Sequence, residues 1–316
     1  MKTKNFKIKE IKGDASFRKF YRKSFKQKTT IIVYSDKEKE KNLLIYDAIN
    51  KILIKNKIKA PKIIKQRYRL DYIEIEDLGK KTILKYLKKN NRDLKYFYKS
   101  IDLLGKLQKI RDKKIKNFNN QIYKIPEYKR ELLFQEAELF CKWHVPSSLK
   151  KSKQYIFNLK FRKEVKKLLS KLVFKNDTFV HRDFHVSNLM FNKNKISIID
   201  SQDAVIGNKA YDLASFIDDV RFKTTRETKD QIYSYFLEKR KDINLKYLKN
   251  DFEILSVLRN LKIIGIFKRL AIRDNKKKYL KYLPYAWELI NLRLNQNNNL
   301  QPLKFLLKEG FSREIR

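Results

Sequence analysis

The residues best suited to chemistry are Asp183, Asn188 and Asp200. They lie in the stretch His181-Arg182-Asp183-Phe184-His185-Val186-Ser187-Asn188 and at the end of the short apolar run that follows it. Phosphoryl transfer asks little covalent chemistry of a protein. It needs a base that positions an acceptor hydroxyl, oxygen ligands for metal ions across the phosphates, and tight placement. The Asp-x-x-x-x-Asn spacing supplies a candidate base, Asp183, and a candidate metal ligand, Asn188. Leu189-Met190-Phe191 and Ile196-Ser197-Ile198-Ile199 read as a hairpin around Asn192-Lys193-Asn194-Lys195, which would return Asp200 to the side of Asn188. A carboxylate there suits a hard cation such as Mg²⁺. Each residue taken alone could be an ordinary loop residue; the three together, each beside a short apolar strand, carry the reading. His181 reads as a loop-ordering residue and His185 as one that could face substrate. No Gly-x-x-x-x-Gly-Lys-Ser/Thr loop occurs, so the other common route to this chemistry lacks its motif.

These residues need a scaffold, and the flanking sequence describes one. Phe6, Ile8 and Ile11 alternate loosely. The turn Gly13-Asp14-Ala15-Ser16 follows, then Phe17, Phe20, Tyr21 and Phe25, then the β-branched run Thr29 to Tyr34. This predicts an antiparallel opening of three strands. Leu44, Ala48 and Ile52 have helical spacing, Pro61 breaks it, and Ile63-Ile64 and Tyr72 to Glu76 read as two further strands. Asp77-Leu78-Gly79 closes this portion, and a lobe boundary is expected there. Beyond it the pattern is helical. Leu94, Phe97, Ile101, Leu104 and Leu107 mark one amphipathic helix. Others are expected over 126–146, 157–172, 208–221, 226–240, 251–272 and 279–295, with Phe179-Val180 as a short strand before the central segment. The expected fold class is α+β: a two-lobed, protein-kinase-like arrangement with a small antiparallel β-rich lobe at 1–79, a hinge at 74–79, and a larger helical lobe at 80–316.

Composition narrows the classes. The 316 residues carry 77 Lys and Arg against 35 Asp and Glu, a formal charge of +42. Such a balance attracts nucleic acid, anionic membranes or nucleotides. The lysines are scattered, with no stripe, tail or basic helix, which fits a compositional bias. Nucleic-acid binding is therefore not expected despite the charge. The single cysteine, Cys141, excludes an internal disulfide and a Cys-based zinc site, and reads as a packed thiol. No apolar run approaches membrane-spanning length and the N-terminus has no apolar signal core, so a soluble cytoplasmic protein is expected.

Four blocks give the chain a resemblance to the aminoglycoside phosphotransferase/choline kinase-like superfamily. Within it the chain is most similar to the anomeric N-acetylmuramate/N-acetylglucosamine kinases of cell-wall recycling. The blocks are Gly13 to Arg22, Glu74 to Gly79, Val180 to Met190 with Ile199 to Ala204 and Tyr211 to Ser215, and Arg259 to Leu270 with Arg273-Asp274 and Tyr279-Leu280. The resemblance implies ATP and Mg²⁺ as cofactors and a small-molecule acceptor, an amino sugar in this subgroup. It makes Asp183 the catalytic base and Asn188 and Asp200 the Mg²⁺ ligands. The backbone of Glu76 to Leu78 would receive adenine, and Gly13, Asp14, Ala15 and Ser16 would cover the phosphates. Asp212 would brace the catalytic loop or, read locally, cap a helix. The strand Thr29 to Tyr34 has no lysine, where many kinases place a phosphate-pairing one. Arg18, Lys19 and Arg22 are on the neighbouring strand; Arg18 is the candidate substitute, Arg22 shares its face by alternation, and all could equally be solvated strand charges. For the acceptor, Glu136, Glu138, Trp143, Arg259 and Asn260 are in helical segments; Trp143 also reads as packing. The alternatives are a kinase for an aminoglycoside, choline or another amino-alcohol, and a basic nucleic-acid-associated protein on a kinase-like fold.

Overall fold

The computed structural model describes residues 6–11, 18–36, 42–89, 93–192, 194–241 and 243–315. The turn at 13–16 and Phe17 lie outside them. The chain opens with β1 (Lys7–Ile11), β2 (Lys19–Phe25) and β3 (Lys28–Tyr34), then α1 (Asn42–Lys55), β4 (Ile63–Arg67) and β5 (Tyr72–Glu76). The five strands form one antiparallel sheet in the order β1-β2-β3-β5-β4. Period-two alternation explains which face is covered. Ile31 and Val33 of β3 and Ile73 and Ile75 of β5 are buried with Leu43 and Tyr46 of α1. The third strand runs as expected from the β-branched run, with Lys28 added at its exposed start.

The helices α2 (Ile83–Lys89) and α3 (Leu94–Leu107) follow, then a short hairpin of β6 (Lys114–Lys116) and β7 (Ile122–Lys124). Asp93 caps α3 by accepting from the Lys95 amide, and of the apolar positions read from the sequence Phe97, Ile101, Leu104 and Leu107 are buried and Leu94, at the helix start, is half-buried. Next come α4 (Arg130–Leu139), α5 (Lys151–Ser170) and β8 (Thr178–Val180). The expected hairpin is present as β9 (Leu189–Asn192) and β10 (Lys195–Ile198), in the register Leu189 to Ile198. Then come β11 (Val205–Gly207), α6 (Ala210–Ile217), α7 (Arg226–Glu238), α8 (Leu245–Ile272), α9 (Leu283–Leu294) and α10 (Gln301–Gly310).

By packing, the chain forms two compact units. The first is residues up to 126 together with 187–204; the second is 127–186 with 205 onward. The first unit thus takes in residues beyond the hinge expected at 74–79, including the β9–β10 hairpin. That hairpin is stitched to its unit by backbone bonds from Ile198 to the Lys59 carbonyl and from Phe191 to the Lys81 carbonyl, both 2.9 Å. Tyr86, Tyr96 and Phe191 close an aromatic cluster beneath it, with ring centroids 4.8–5.3 Å apart.

The second unit is organised on α8. Its 28 residues are buried on most sides, and α4, α6 and α9 all pack on it. Asn244 caps its start, which lies six residues before the expected one. The helix expected over 126–146 is interrupted: α4 ends at Leu139 and the chain widens into a π-type turn over Phe140–His144. A close crossing accompanies the change. A Cβ on Gly265 of α8 would fall 2.3 Å from the Leu139 carbonyl carbon and 2.7 Å from the Phe140 nitrogen. Only glycine permits backbone to approach so near. The strand β8 pairs with β11, a ladder the sequence reading did not contain. Among the described residues no helix is long and apolar enough to cross a membrane.

Candidate active site

The stretch leaving β8 is held from below. Asp212, at the third position of α6, accepts the backbone N–H groups of His181 at 2.6 Å and Arg182 at 3.1 Å. It braces the loop and does not cap the helix. This strap holds Arg182 at φ 71°, the left-handed region that side chains usually avoid. Asp183 follows directly, so its direction is set by that turn.

Side chains complete the bracing. The Arg182 guanidinium donates to Glu136 of α4, the Tyr128 hydroxyl donates to the same carboxylate, and Lys262 of α8 reaches it at 2.9 Å. Burial would raise the Glu136 pKa, and Lys262, Arg182 and the Tyr128 bond reverse this, so it stays ionised. Asp219 fixes the other end of the loop: it accepts from the Val186 amide at 3.2 Å and from the amide and guanidinium of Arg221 at 3.0 and 3.2 Å.

The electrostatics of Asp183 follow from this ring. Burial would raise its pKa, and His185, Lys262, Arg259 and Arg221 more than offset that, holding the carboxyl below the ordinary range. His185 is itself pushed down to about 3, by burial and then by Arg221, so it is neutral at physiological pH. The permanent cations Lys262, Arg259 and Arg221 therefore dominate there. Asp212 differs: burial pushes its pKa up to about 7, against the two amide bonds, and the nearby Asp183 charge adds to the rise.

Asn188 and Asp200 lie together in the first unit. The Ile199 amide donates to the Asn188 carbonyl at 3.0 Å, which sets Asp200 beside Asn188 as the hairpin pattern predicts. Asp200 has φ 64°. Arg18 holds its carboxylate at 2.5 Å and reaches Gln202 at 3.0 Å, and the Arg18 side chain is 3% exposed. Its guanidinium also lies over the Phe20 and Tyr46 rings. Ser201 is tied to Asn50 of α1 at 2.6 Å. Arg18 is thus the cation paired with Asp200 in a unit whose third strand offers only Lys28, at its exposed start. The oxygens of Asn188 and Asp200 are donors of the type Mg²⁺ accepts. No group of three or more His, Cys, Asp or Glu residues that could hold a metal occurs among the described residues. A metal here would complete its shell from phosphate and water, as Mg²⁺ commonly does.

The hinge residues follow β5. The Glu76 amide donates to the Lys62 carbonyl at 2.9 Å and its carboxylate pairs with Lys59 at 2.8 Å. Leu78 is buried. Arg22 clamps Asp77 with two bonds of 2.6 and 3.0 Å and the Gly79 carbonyl with a third of 2.9 Å. Gly79 has φ +100°, which glycine tolerates freely. Arg18 and Arg22, expected on one face, serve two places: Asp200 and the hinge. Gly13, Asp14, Ala15 and Ser16 lie outside the described residues.

Of the acceptor candidates, Glu136 is bound into the loop's ion pairs and Glu138 pairs with Arg162 at the surface. Trp143 is half-buried. Asn260 donates to the Ser256 carbonyl within its own helix. Arg259 is buried beside Lys262. Cys141 is buried, and burial pushes its thiol pKa to about 12, as fits a packed residue. Lys262, Asp219 and Arg221 were not singled out from the sequence. Lys262 is one lysine among many; only its spacing of three from Arg259, on one helix face, could have marked it.

The phosphotransferase enzyme family model matches residues 7–241. A protein of Neisseria meningitidis serogroup B named N-acetylmuramate/N-acetylglucosamine kinase is 25% identical over 312 residues, 97% of this chain and 91% of that protein. Among solved structures, the ethanolamine kinase of Plasmodium vivax superposes with a TM-score of 0.61 at 15% identity, over 90% of this chain and 81% of that one. Spectinomycin phosphotransferase, in complex with ADP and spectinomycin, gives 0.59 at 17% identity over 93% and 91%. These structures share the kinase-like fold, with its antiparallel sheet and its helical part. The chain belongs to the phosphotransferase enzyme family.

Proposed function

We propose that this chain transfers the γ-phosphoryl group of ATP to the anomeric hydroxyl of an amino sugar, N-acetylmuramate or N-acetylglucosamine. The observation that carries the reading is the braced loop. Asp183 is an ionised carboxylate aimed by the Asp212 strap, and Asn188 and Asp200 are adjoining oxygen donors. The near full-length similarity to a kinase named for these two sugars supports the acceptor class.

In this reading Asp183 accepts a hydrogen bond from the acceptor hydroxyl and aims its oxygen at the γ-phosphorus. A bond forms from that oxygen to phosphorus, the bond to the bridging oxygen of ADP breaks, and the proton passes to Asp183. A carboxyl of depressed pKa is a weak base. That suits a loose transition state, in which the hydroxyl proton leaves late and orientation matters most. Asn188 and Asp200 would hold Mg²⁺, which would neutralise charge on the phosphate oxygens. Arg18 takes the phosphate-pairing role of the missing strand lysine. The backbone of Glu76 to Leu78 receives adenine, and Gly13, Asp14, Ala15 and Ser16 cover the phosphates. Functionally, 1–79 is the nucleotide lobe and 80–316 carries the catalytic loop and the acceptor site. In this reading the chain acts in cell-wall recycling in the cytoplasm.

An ATP-consumption panel tests the reading. N-acetylmuramate and N-acetylglucosamine should support turnover above the rate with water alone. Turnover confined to choline, ethanolamine or an aminoglycoside would overturn it.

A further inference from the structure

The helix α8 presents two cations one turn apart, Arg259 and Lys262. Together with Leu133, Glu136, Tyr211, Leu255 and Leu258 they enclose a cavity of about 10 Å³. That is room for a single oxygen atom or one water, not for a sugar ring. The two cations are not equivalent. Lys262 is satisfied by Glu136 at 2.9 Å. Arg259 is only 4% exposed, yet its Nη1 is buried without a hydrogen-bond partner. A buried guanidinium N–H left unmatched is costly, and such groups normally have a partner.

The carboxylates nearby have other commitments. Glu136 is shared by Arg182, Lys262 and Tyr128, Asp212 holds the loop amides, and Asp219 holds Arg221. Asp183 is the carboxylate that the functional reading assigns to the acceptor hydroxyl, and Arg259 is among the cations that lower its pKa, so the two are within electrostatic reach. Arg259 Nη1 can give one charge-assisted bond to a single carboxylate oxygen, for which the cavity has room. What this wall leaves unmatched is the Arg259 Nη1 donor.

We propose that Arg259 is a specificity-determining residue that receives a carboxylate of the acceptor, so that the site selects an anionic amino sugar. The assignment rests on the functional reading above and sharpens it. N-acetylmuramate is N-acetylglucosamine bearing a lactyl ether that ends in a carboxylate. The two sugars differ in the group that Arg259 would read. An unmatched guanidinium is also the wrong chemistry for amine acceptors.

The test compares kcat/KM for the two sugars at saturating ATP, in the full-length protein and in R259M and R259K. Wild type should favour N-acetylmuramate. R259M should lower the ratio of the two kcat/KM values about tenfold or more, the usual scale for losing a charge-assisted bond, with the loss mainly in KM. R259K should keep part of the preference. A substrate-side measurement needs no variant: the methyl ester of N-acetylmuramate, which has no anion, should lose the advantage with wild-type protein. Equal losses for both sugars in R259M, or an ester as good as the free acid, overturn the assignment while leaving the functional reading intact. Turnover of neither sugar by wild type overturns both.

Discussion

Replacing Asp212 by asparagine should disable the loop without unfolding the protein. Asp212 is 1% exposed and its two oxygens accept two backbone N–H groups, at 2.6 and 3.1 Å. Asparagine has the same shape but only one acceptor oxygen. Its amide NH₂ would face the other backbone donor. The change removes one charge-assisted bond, about 1.5–3 kcal/mol, and strands a buried N–H, about 1–3 kcal/mol. Together that is about 2.5–6 kcal/mol, enough to release Arg182 from its strained φ of 71°. Asp183 is the next residue, and a misplacement of about 1 Å costs roughly 100-fold. We expect kcat to fall about 100-fold with little change in KM for ATP. The pH profile gives a second readout. The Asp212 pKa is pushed up to about 7, so the wild-type carboxylate takes up a proton as pH falls through neutrality and loses an acceptor oxygen. Wild-type kcat should therefore decline on the acid side of about pH 7, and D212N should lack that limb. Stability runs the other way. A carboxyl whose folded pKa is raised favours the folded state below its unfolded pKa near ~4, and that contribution is lost as pH rises through about 7. A folded D212N with kcat within threefold of wild type, or with the acid limb intact, would refute the reasoning.

Two stability predictions come from buried groups outside the loop. Asp218 is fully buried and meets Arg293 at 2.8 and 3.1 Å, Lys229 at 3.1 Å and Ser256 at 2.6 Å. D218N should cost about 3–5 kcal/mol in urea denaturation, because it leaves two buried cations without their counter-charge. Burial would raise the Asp218 pKa, but Arg293 and Lys229 depress it overall. Its contribution is thus present above about pH 4 and is lost as pH falls through the lower folded value, a dependence that D218N should not show. G265A should lower the melting temperature through overpacking of at least ~1–3 kcal/mol, since its Cβ would meet backbone atoms at 2.3–2.7 Å that cannot turn aside. An unshifted melting temperature would contradict the close crossing of α8 and the Leu139–Phe140 backbone.

Local features were the legible ones. The Asp183-to-Asn188 spacing and the hairpin returning Asp200 are written within twenty residues, and short-range rules of alternation and turns suffice to read them. The five-strand sheet was equally open to those rules, because β-branched and aromatic runs alternate there. What joins distant positions was not. Arg18 pairs with a carboxylate 182 positions away, and nothing in its own neighbourhood distinguishes it from Lys19 or Arg22. Lys262 is hidden by composition, since lysine is everywhere in this chain. The strand β11 is three residues long and exists because β8 is there to pair with it. The helix α10 has its own apolar face, Leu303, Leu306 and Leu307, and lies beyond the last helix expected from the spacing, 279–295. The π-type turn after α4 reflects the nearness of α8 at Gly265, a tertiary cause that residues 126–146 do not encode by themselves.

The most direct test is phosphorus NMR of the product made from ATP and N-acetylmuramate by the wild-type protein and by D183N. A single new sugar phosphate at the anomeric position, formed by wild type and reduced at least a thousandfold in a folded D183N, is the result expected if Asp183 orients the acceptor hydroxyl. A phosphate on another hydroxyl, or product formed by D183N at the wild-type rate, would contradict it.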